Sequence, residues 1–237
     1  MSYTTLVDAA TLAAHLDDPL WQVVDVRHQL ADVDYGERAY AAGHIPGAVF
    51  LHCDRDLSGP KDGCNGRHPL PDPACFAARL GALGIGPGTQ VVAYDDAQGM
   101  ISGRLWWLLR WLGHDRVAVL DGGLQAWQAA RGILTDVQPT PQPVEFPVRR
   151  GVRPVVAGEV LERLESPQLH LVDARGPERF RGDVEPIDPV AGHIPGAVNR
   201  FYGLNLRPDG CFKGAAELRG EWLALLAGAS PDEVVHQ

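Results

Sequence analysis

The stretch Val23–Arg27, with the sequence VVDVR, is an apolar run that ends in Asp-x-Arg, and His44–Val49, with the sequence HIPGAV, follows it closely. Both motifs return in the second half of the chain, as LVDAR at Leu171–Arg175 and as HIPGAV at His193–Val198. The first motif recurs 148 positions later and the second 149 positions later. A shift that is held within one residue over two separate motifs indicates a duplicated domain.

The composition of the 237-residue chain is that of a folded, acidic protein, with 45% hydrophobic residues and a formal net charge of −9. This charge argues against nucleic acid as a partner, because phosphate backbones are bound by clustered lysines and arginines. A small anionic substrate would need a local arginine site. We expect no membrane partner, because no apolar run reaches the roughly 20 residues that span a bilayer and the first residues do not form a signal peptide. Four cysteines in a chain of this length favour reduced thiols and a cytoplasmic location over a disulfide scaffold.

Short apolar runs alternate with helical patterns along the first half of the chain. Four of these runs are predicted as buried strands, at Val23–Val26, Val49–Leu51, Val91–Tyr94 and Val117–Leu120. Four helices are predicted around them, at Asp8–Leu16, Asp72–Leu83, Met100–Leu112 and Leu124–Arg131. The second half restarts with a helix at Val156–Leu164 and a strand at Leu169–Asp173. This alternation predicts the α/β class, with parallel sheets flanked by helices on both faces.

The segment 137–154 separates the two repeats and carries five prolines. Proline at this density blocks helix formation and favours an extended connection. We therefore predict a linker at 137–154, between an N-terminal domain at residues 1–136 and a C-terminal domain at residues 155–237.

The end of the second repeat can be aligned with the first. Its last apolar stretch, at positions 234–237, matches the predicted strand Val91–Tyr94 and sets Gln237 against Tyr94. The sequence therefore stops one residue before the equivalent of Asp95, and the second repeat lacks a loop, a helix and a strand. A parallel sheet without these elements would expose an apolar face and an unpaired edge, so we expect the natural protein to continue past Gln237.

The motifs D-x-R and G-H-I-P-G-A, duplicated around a proline-rich segment, resemble those of the tandem-domain rhodanese family, which includes thiosulfate and 3-mercaptopyruvate sulfurtransferases. Asp121–Trp127, with the sequence DGGLQAW, adds to a resemblance that covers essentially the whole chain. The resemblance implies two α/β rhodanese-like domains, of which only the C-terminal one, incomplete in this chain, is catalytic. It also implies sulfur transfer without a metal or an organic cofactor. A small anionic donor gives its outer sulfur to a cysteine, and cyanide, a small thiol or a protein dithiol such as thioredoxin accepts it.

Sulfur transfer needs a thiolate that attacks a sulfur atom and holds it as a persulfide. In the family, this cysteine opens a loop between a strand and a helix N-terminus, where backbone N–H groups and the helix dipole stabilise anions. The corresponding position in the first repeat is Asp95, which cannot do this chemistry, so the N-terminal domain is predicted to be non-catalytic. In the second repeat the nucleophile is expected immediately after Gln237, a position that none of the four cysteines occupies.

Arg179 matches the family arginine that binds the anionic substrate; the alternative is a surface arginine paired with Glu178 or Glu185. Relatives that are specific for mercaptopyruvate carry a second arginine a few residues further on, before the HIPGA motif, and the corresponding stretch here, Glu185–Pro189, contains no arginine. That difference favours thiosulfate as the donor. Arg181 and Arg200 are the candidates to replace the missing arginine.

Asp54 and His68 match positions of the mercaptopyruvate-type enzymes. There the first domain contributes polar groups to an active site between the domains, and these groups help to poise the cysteine loop. The alternative for His68 is an ordinary surface histidine. This match favours 3-mercaptopyruvate, so the two clues to the donor disagree.

His44 and His193 are interpreted as shaping the turn of the HIPGAV motif rather than as catalytic, because the repeat without a nucleophile carries the motif as well. The acidic and basic residues of the two D-x-R motifs are interpreted as ion-paired turn contacts.

A zinc site would have to use Cys53, Cys64 and Cys75 together with His52 and His68. The cysteines are too widely spaced for a zinc knuckle and no C-x-x-C occurs, so no metal site is expected.

Two alternatives to a sulfurtransferase stay open. If the natural chain ends at Gln237, or if a residue other than cysteine follows it, the protein would be a non-catalytic binding or regulatory relative. The second alternative is a phosphatase, because the fold can bind phosphate when its cysteine loop is longer and ends in arginine. The inert first repeat argues against this second alternative.

Overall fold

A computed structural model describes residues 2–166 and 168–237. The chain divides into two compact units, of which unit 1 ends at Arg153 and unit 2 runs from Pro154 to Gln237. Each unit carries one copy of the repeat found in the sequence, so each is described by itself. Within the described residues, no helix is long and apolar enough to cross a membrane.

Unit 1 is built on a five-stranded parallel sheet with the strand order β1-β5-β4-β2-β3. The strands are β1 (Leu6–Val7), β2 (Trp21–Asp25), β3 (Val49–Phe50), β4 (Gln90–Tyr94) and β5 (Val117–Leu120). Every residue of β4 and β5 is buried. Continuous apolar strands of this kind are expected where helices cover both faces of a parallel sheet.

Five helices accompany this sheet: α1 (Ala9–Ala13), α2 (Tyr35–Ala42), α3 (Pro73–Ala82), α4 (Ser102–Trp111) and α5 (Gly123–Ala129). Successive residues of β4 point to opposite faces of the sheet. Val91 therefore packs in one core with residues of α3 and α4, and Val92 packs in a second core with residues of α1 and α5. The two hydrophobic cores lie on opposite faces of the sheet and fix its orientation against the helices.

The four predicted strands and four predicted helices of unit 1 are confirmed to within a few residues at each end. The sequence reasoning missed β1 and α2. The strand β1 has only two residues, which is too short for a periodic signal. Helix α2 contains Gly36, a helix-weakening residue, where a Cβ atom would lie 1.8 Å from the carbonyl oxygen of Arg27. Close packing, and not helix propensity, selects glycine there.

The proline-rich segment that was predicted as a linker is extended and packs on unit 1. Phe146 is buried in the same core as α3 and α4. The N–H of Val144 donates to the carbonyl of Gly81 at 2.9 Å, and a Cβ atom at Gly81 would lie 2.4 Å from the carbonyl oxygen of Val144. The segment therefore belongs to unit 1, and the boundary between the units falls at the end of the segment rather than across it.

Unit 2 contains a three-stranded parallel sheet with the order β7-β6-β8. Its strands are β6 (His170–Asp173), β7 (Val198–Asn199) and β8 (Val234–His236), and its helices are α6 (Ala157–Glu162), α7 (Pro177–Arg181) and α8 (Ala215–Leu226). Short 3-10 helices lie at Tyr202–Asn205 and Pro231–Glu233. The predicted α/β class with parallel sheets flanked by helices is confirmed in both units.

The packing of the proline-rich segment can be tested by truncating its buried aromatic ring. Replacing Phe146 with Ala removes a ring from the core, and substitutions of this kind cost about 3 kcal/mol or more of unfolding free energy. Val148→Ala is the matched control, because Val148 is 51% exposed and its truncation should change stability by less than about 0.5 kcal/mol. The measurement is urea denaturation of both variants. Equal stability of the two would show that the segment is a free linker.

Candidate functional site

Each D-x-R motif forms the same ion pair at the end of its central strand. In unit 1, the guanidinium of Arg27 donates to the fully buried carboxylate of Asp25, at 2.6 Å for the shortest contact, and to the carbonyl of Gly43 at 2.7 Å. In unit 2, Arg175 donates in the same way to Asp173 and to the carbonyl of Gly192, both at 2.7 Å. The predicted ion-paired turn contacts are confirmed. Each pair ties its strand to the residue that precedes the HIPGAV motif.

The histidine of each HIPGAV motif is bound to the helix that precedes it. The ring of His44 stacks on Tyr40, with centroids 4.0 Å apart, and its Nδ1 donates to the Tyr40 carbonyl at 2.8 Å. The ring of His193 stacks on Phe180 at 3.8 Å, and its Nδ1 donates to the Phe180 carbonyl at 2.6 Å. These contacts agree with the prediction that both histidines shape the turn.

The loop after β4 surrounds the buried carboxylate of Asp95 with hydrogen-bond donors. Its oxygens accept bonds of 2.8 to 3.0 Å from the backbone N–H groups of Ala97, Gly99, Ile101 and Ser102 and from the Ser102 hydroxyl. We call these donors the anion cradle. They converge on one point at the start of α4, where unpaired helix N–H groups favour a negative charge. The cradle therefore satisfies both oxygens of the buried Asp95 carboxylate with five hydrogen-bond donors.

The register of β8 shows which position of unit 2 corresponds to Asp95. In unit 1, Asp25 pairs with Tyr94, and the N–H of Val26 donates to the Tyr94 carbonyl. In unit 2, the N–H of Ala174 donates in the same way to the carbonyl of Gln237, at 3.2 Å. Gln237 is thus the counterpart of Tyr94, as the sequence alignment predicts. A residue placed directly after Gln237 would be the counterpart of Asp95.

Arg179, predicted to bind the substrate, lies in α7 and is paired with acidic side chains. Its guanidinium donates to both oxygens of Glu185 at 2.9 to 3.2 Å and to Asp188 at 2.7 Å. Backbone N–H groups of the same loop, first that of Asp188, and the Arg179 guanidinium hold the pKa of Glu185 down to about 2. Arg179 keeps 22% of its side chain exposed. Its charge is therefore partly neutralised, on a surface that solvent can reach.

The two other candidate arginines lie in different settings. Arg181 is exposed and donates to Asp183 at 2.8 Å. Arg200 is buried; it donates to Glu221 at 2.6 Å and lies 4.8 Å from the ring centroid of Trp222. Arg200 thereby ties the segment after β7 to α8, whereas Arg181 leaves its guanidinium at the surface.

Asp54 and His68 are brought together in unit 1. The Nε2 atom of His68 lies 3.3 Å from an oxygen of Asp54, and Lys61 approaches the same carboxylate at 3.7 Å. Burial lowers the pKa of His68, which favours the neutral ring. His28, which the sequence reasoning missed, lies on the other side of Asp54 at 3.9 Å. Its position directly after the D-x-R motif was the signal that could have found it.

All four cysteines are free thiols. Cys53 is buried, and burial raises the pKa of its thiol to about 11. Of the residues considered for zinc in the sequence, the structure brings Cys53 and His68 together and adds His28, with their ligand atoms within 4.8 Å of one another. Cys64 and Cys75 are exposed and lie outside this cluster.

Comparison with known proteins agrees with the repeated architecture. The model of the rhodanese-like domain family matches residues 8–130 and again residues 156–230. The chain is 47% identical to a probable 3-mercaptopyruvate sulfurtransferase of Pseudomonas aeruginosa, over 99% of this chain and 84% of that protein. It is 42% identical to the putative thiosulfate sulfurtransferase SseB of Mycobacterium tuberculosis, over 90% of this chain and 76% of that protein.

The same similarity appears in three dimensions. The crystal structure of SseA from Escherichia coli, described as a 3-mercaptopyruvate sulfotransferase with the rhodanese fold, superimposes with a TM-score of 0.84 and 32% sequence identity. The match covers 99% of this chain and 88% of that one. With two family matches, this fold and these relatives, the chain belongs to the rhodanese-like domain family.

Proposed function

We propose that the protein is a sulfurtransferase, which moves sulfane sulfur from a small anionic donor to a thiophilic acceptor through a cysteine persulfide. The observation that carries this proposal is the anion cradle around Asp95, together with the strand register, which supports a nucleophile directly after Gln237 as the counterpart of Asp95. A cysteine at that counterpart would hold its thiolate, and then its persulfide anion, among inward-pointing N–H groups. The relatives named as sulfurtransferases support the same assignment.

The transfer proceeds in two displacements. With thiosulfate, the thiolate attacks the outer sulfur, the S–S bond breaks and sulfite leaves with the bonding electron pair. With 3-mercaptopyruvate, the attack breaks the C–S bond, and pyruvate leaves as an enolate that takes up a proton. The acceptor, which is cyanide, a small thiol or a protein dithiol, then attacks the outer sulfur of the persulfide and regenerates the thiolate. Reduced thiols of this kind fit a cytoplasmic location, which we propose for the protein.

We propose 3-mercaptopyruvate as the preferred donor and thiosulfate as a slower one. The 47% identical relative is named for mercaptopyruvate. The contact between Asp54 and His68 supports the same choice, because it pairs the two residues that the family resemblance assigns to the mercaptopyruvate type. The missing second arginine is replaced, in this proposal, by the exposed Arg181, which lies two residues after Arg179.

Formation of the persulfide is the direct test. Mixing the full-length protein with 3-mercaptopyruvate should add the mass of one sulfur atom to the peptide that follows Gln237. Intact-protein and peptide mass spectrometry under non-reducing conditions make the measurement. An adduct on Cys53, Cys64, Cys75 or Cys211 would contradict the assigned position. The absence of any adduct would leave the non-catalytic binding relative as the better explanation.

Arg179→Ala should raise the KM for both anionic donors about tenfold or more and change kcat less, because a charge-assisted hydrogen bond to the donor is lost in the ground state. Arg179→Lys should recover part of the loss, since it keeps the charge but not the fork of donors. Arg207→Ala is the matched control: Arg207 is exposed and pairs with Asp209 at 3.1 Å on another loop. An unchanged KM in Arg179→Ala would remove this residue from the site.

We propose that Asp54 and His68 act together to orient the reacting groups. Asp54→Asn and His68→Gln should then each lower kcat/KM for 3-mercaptopyruvate about tenfold or more. The double variant should then be no worse than the more impaired single variant, because residues that act as a unit are not additive. His15→Gln, at a ring that stacks on Trp21, is the control histidine. Strictly additive losses would show that Asp54 and His68 act independently.

A further inference from the structure

Arg104 lies in the first turn of α4 and binds the loop that connects β3 to α3. Its guanidinium donates to four neutral oxygens, which are the carbonyls of Leu57 at 2.7 Å, His68 at 3.0 Å and Pro69 at 3.2 Å and the hydroxyl of Ser58 at 3.3 Å. Among the described residues, none of its hydrogen bonds goes to a carboxylate. The helix dipole disfavours a positive charge in a first turn. The loop, and not the helix, therefore accounts for an arginine at this position.

The four oxygens lie on the two sides of the neck of this loop. Residues 57–58 form the outgoing side and residues 68–69 form the returning side. Between them, the N–H of Gly59 donates to the carbonyl of Pro69 at 3.0 Å. The planar fork of an arginine presents several donors in a fixed geometry, which suits a group that joins two strands of backbone. Arg104 thus closes the neck of the loop from below.

This neck carries both members of the Asp54–His68 contact. On the returning side, Nε2 of His68 lies 3.3 Å from an oxygen of Asp54. On the outgoing side, the hydroxyl of Ser58 donates in turn to the carbonyl of Cys53 at 2.8 Å, directly before Asp54. The guanidinium of Arg104 is therefore linked to the backbone on both sides of the contact.

We propose that Arg104 is a positioning residue for sulfur transfer, which closes the neck of the loop and sets the ring of His68 against Asp54. This inference rests on the function proposed above for those two residues. Arg104 acts through His68 and not on the sulfur donor. Its effect can still be large, because a displacement of about 1 Å in a group that orients the reactants can lower a rate about a hundredfold.

Titratable groups from several segments act on the protonation of the His68 ring. Burial lowers the pKa of His68, the Asp54 carboxylate raises it, and the positive charge of Arg104 lowers it again, with smaller effects in the same direction from His28 and Lys61. A ring that takes up a proton during the reaction must be neutral beforehand. Arg104 therefore has an electrostatic effect on His68 as well as a geometric one, and substitution can separate the two.

The test combines an NMR titration of the His68 ring with the pH profile of kcat/KM for 3-mercaptopyruvate, on the full-length protein. Arg104→Gln should raise the pKa of His68 and move the acidic limb of the profile to higher pH, because a charge that opposes protonation is lost. It should also lower the plateau of kcat/KM about tenfold or more, mainly through kcat. Arg104→Lys should leave the acidic limb in place and recover only part of the plateau, since lysine keeps the charge but lacks the fork of donors.

Arg110→Gln is the matched control on the same helix. Arg110 lies 3.9 Å from Asp115 and 5.0 Å from the ring centroid of Trp106, so the substitution removes the same charge without touching the loop. It should change neither the His68 pKa nor the pH profile. Either an unchanged His68 pKa or an unchanged plateau in an Arg104→Gln protein that still forms the persulfide would overturn the role of Arg104 and leave the proposed function standing. Absence of the persulfide in the unsubstituted protein would instead overturn the proposed function.

A measurement on the unsubstituted protein covers the case in which Arg104→Gln does not fold. The Nε–H of Arg104 donates to the carbonyl of Leu57 at 3.0 Å. NMR should therefore find that it exchanges with solvent at least about tenfold more slowly than the Nε–H of Arg110. Equal exchange of the two groups would show that Arg104 does not hold the neck, which overturns the proposal.

Discussion

The buried Asp25–Arg27 ion pair joins three segments of unit 1 at the carboxyl edge of its sheet. Arg27 reaches the carbonyl of Gly43, and the Oδ2 atom of Asp25, which also accepts from Arg27, accepts a 2.6 Å hydrogen bond from the hydroxyl of Tyr94. That hydroxyl in turn accepts a bond from the N–H of Ile45 at 3.2 Å. The end of β2, the end of β4 and the HIPGAV turn are therefore held by one carboxylate. Removing one partner of such a pair typically costs about 3 to 5 kcal/mol, because a buried charge is left without compensation.

The Asp25–Arg27 ion pair determines where the functional side chains lie, because it fixes the edge of the sheet at which the loops converge. The anion cradle begins at Asp95, the residue that follows Tyr94 in the chain. In unit 1 a carboxylate fills the cradle and makes it part of the folded structure. In unit 2 the Asp173–Arg175 pair repeats the same corner, and Gln237 repeats the position of Tyr94. The two copies of the domain therefore use the same loop geometry differently. In unit 1 the loop stabilises the fold, and in our proposal the matching loop after Gln237 carries the sulfur chemistry.

The same edge of unit 1 gathers a second group of side chains, His28, Cys53, Asp54 and His68. Their separations, such as 3.3 Å between Asp54 and His68, follow from where β2 and β3 end and from the course of the loop that leads to α3. Burial favours the neutral ring of His28 and lowers its pKa. Burial also raises the pKa of the Cys53 thiol to about 11, so both side chains are held in their uncharged forms.

The sequence by itself determined the duplication, the α/β class, the ion-paired corners and the alignment of Gln237 with Tyr94. Each of these follows from a local pattern, either a repeated motif or an apolar run whose period is set by the backbone. The tertiary structure alone decided that the proline-rich segment packs on unit 1 through Phe146, and it selected Glu185 from the two acidic partners that the sequence offered to Arg179. It also brought His28 to Cys53 and His68. These outcomes depend on side chains that meet across loops, and the spacing of residues along a chain carries no information about such contacts.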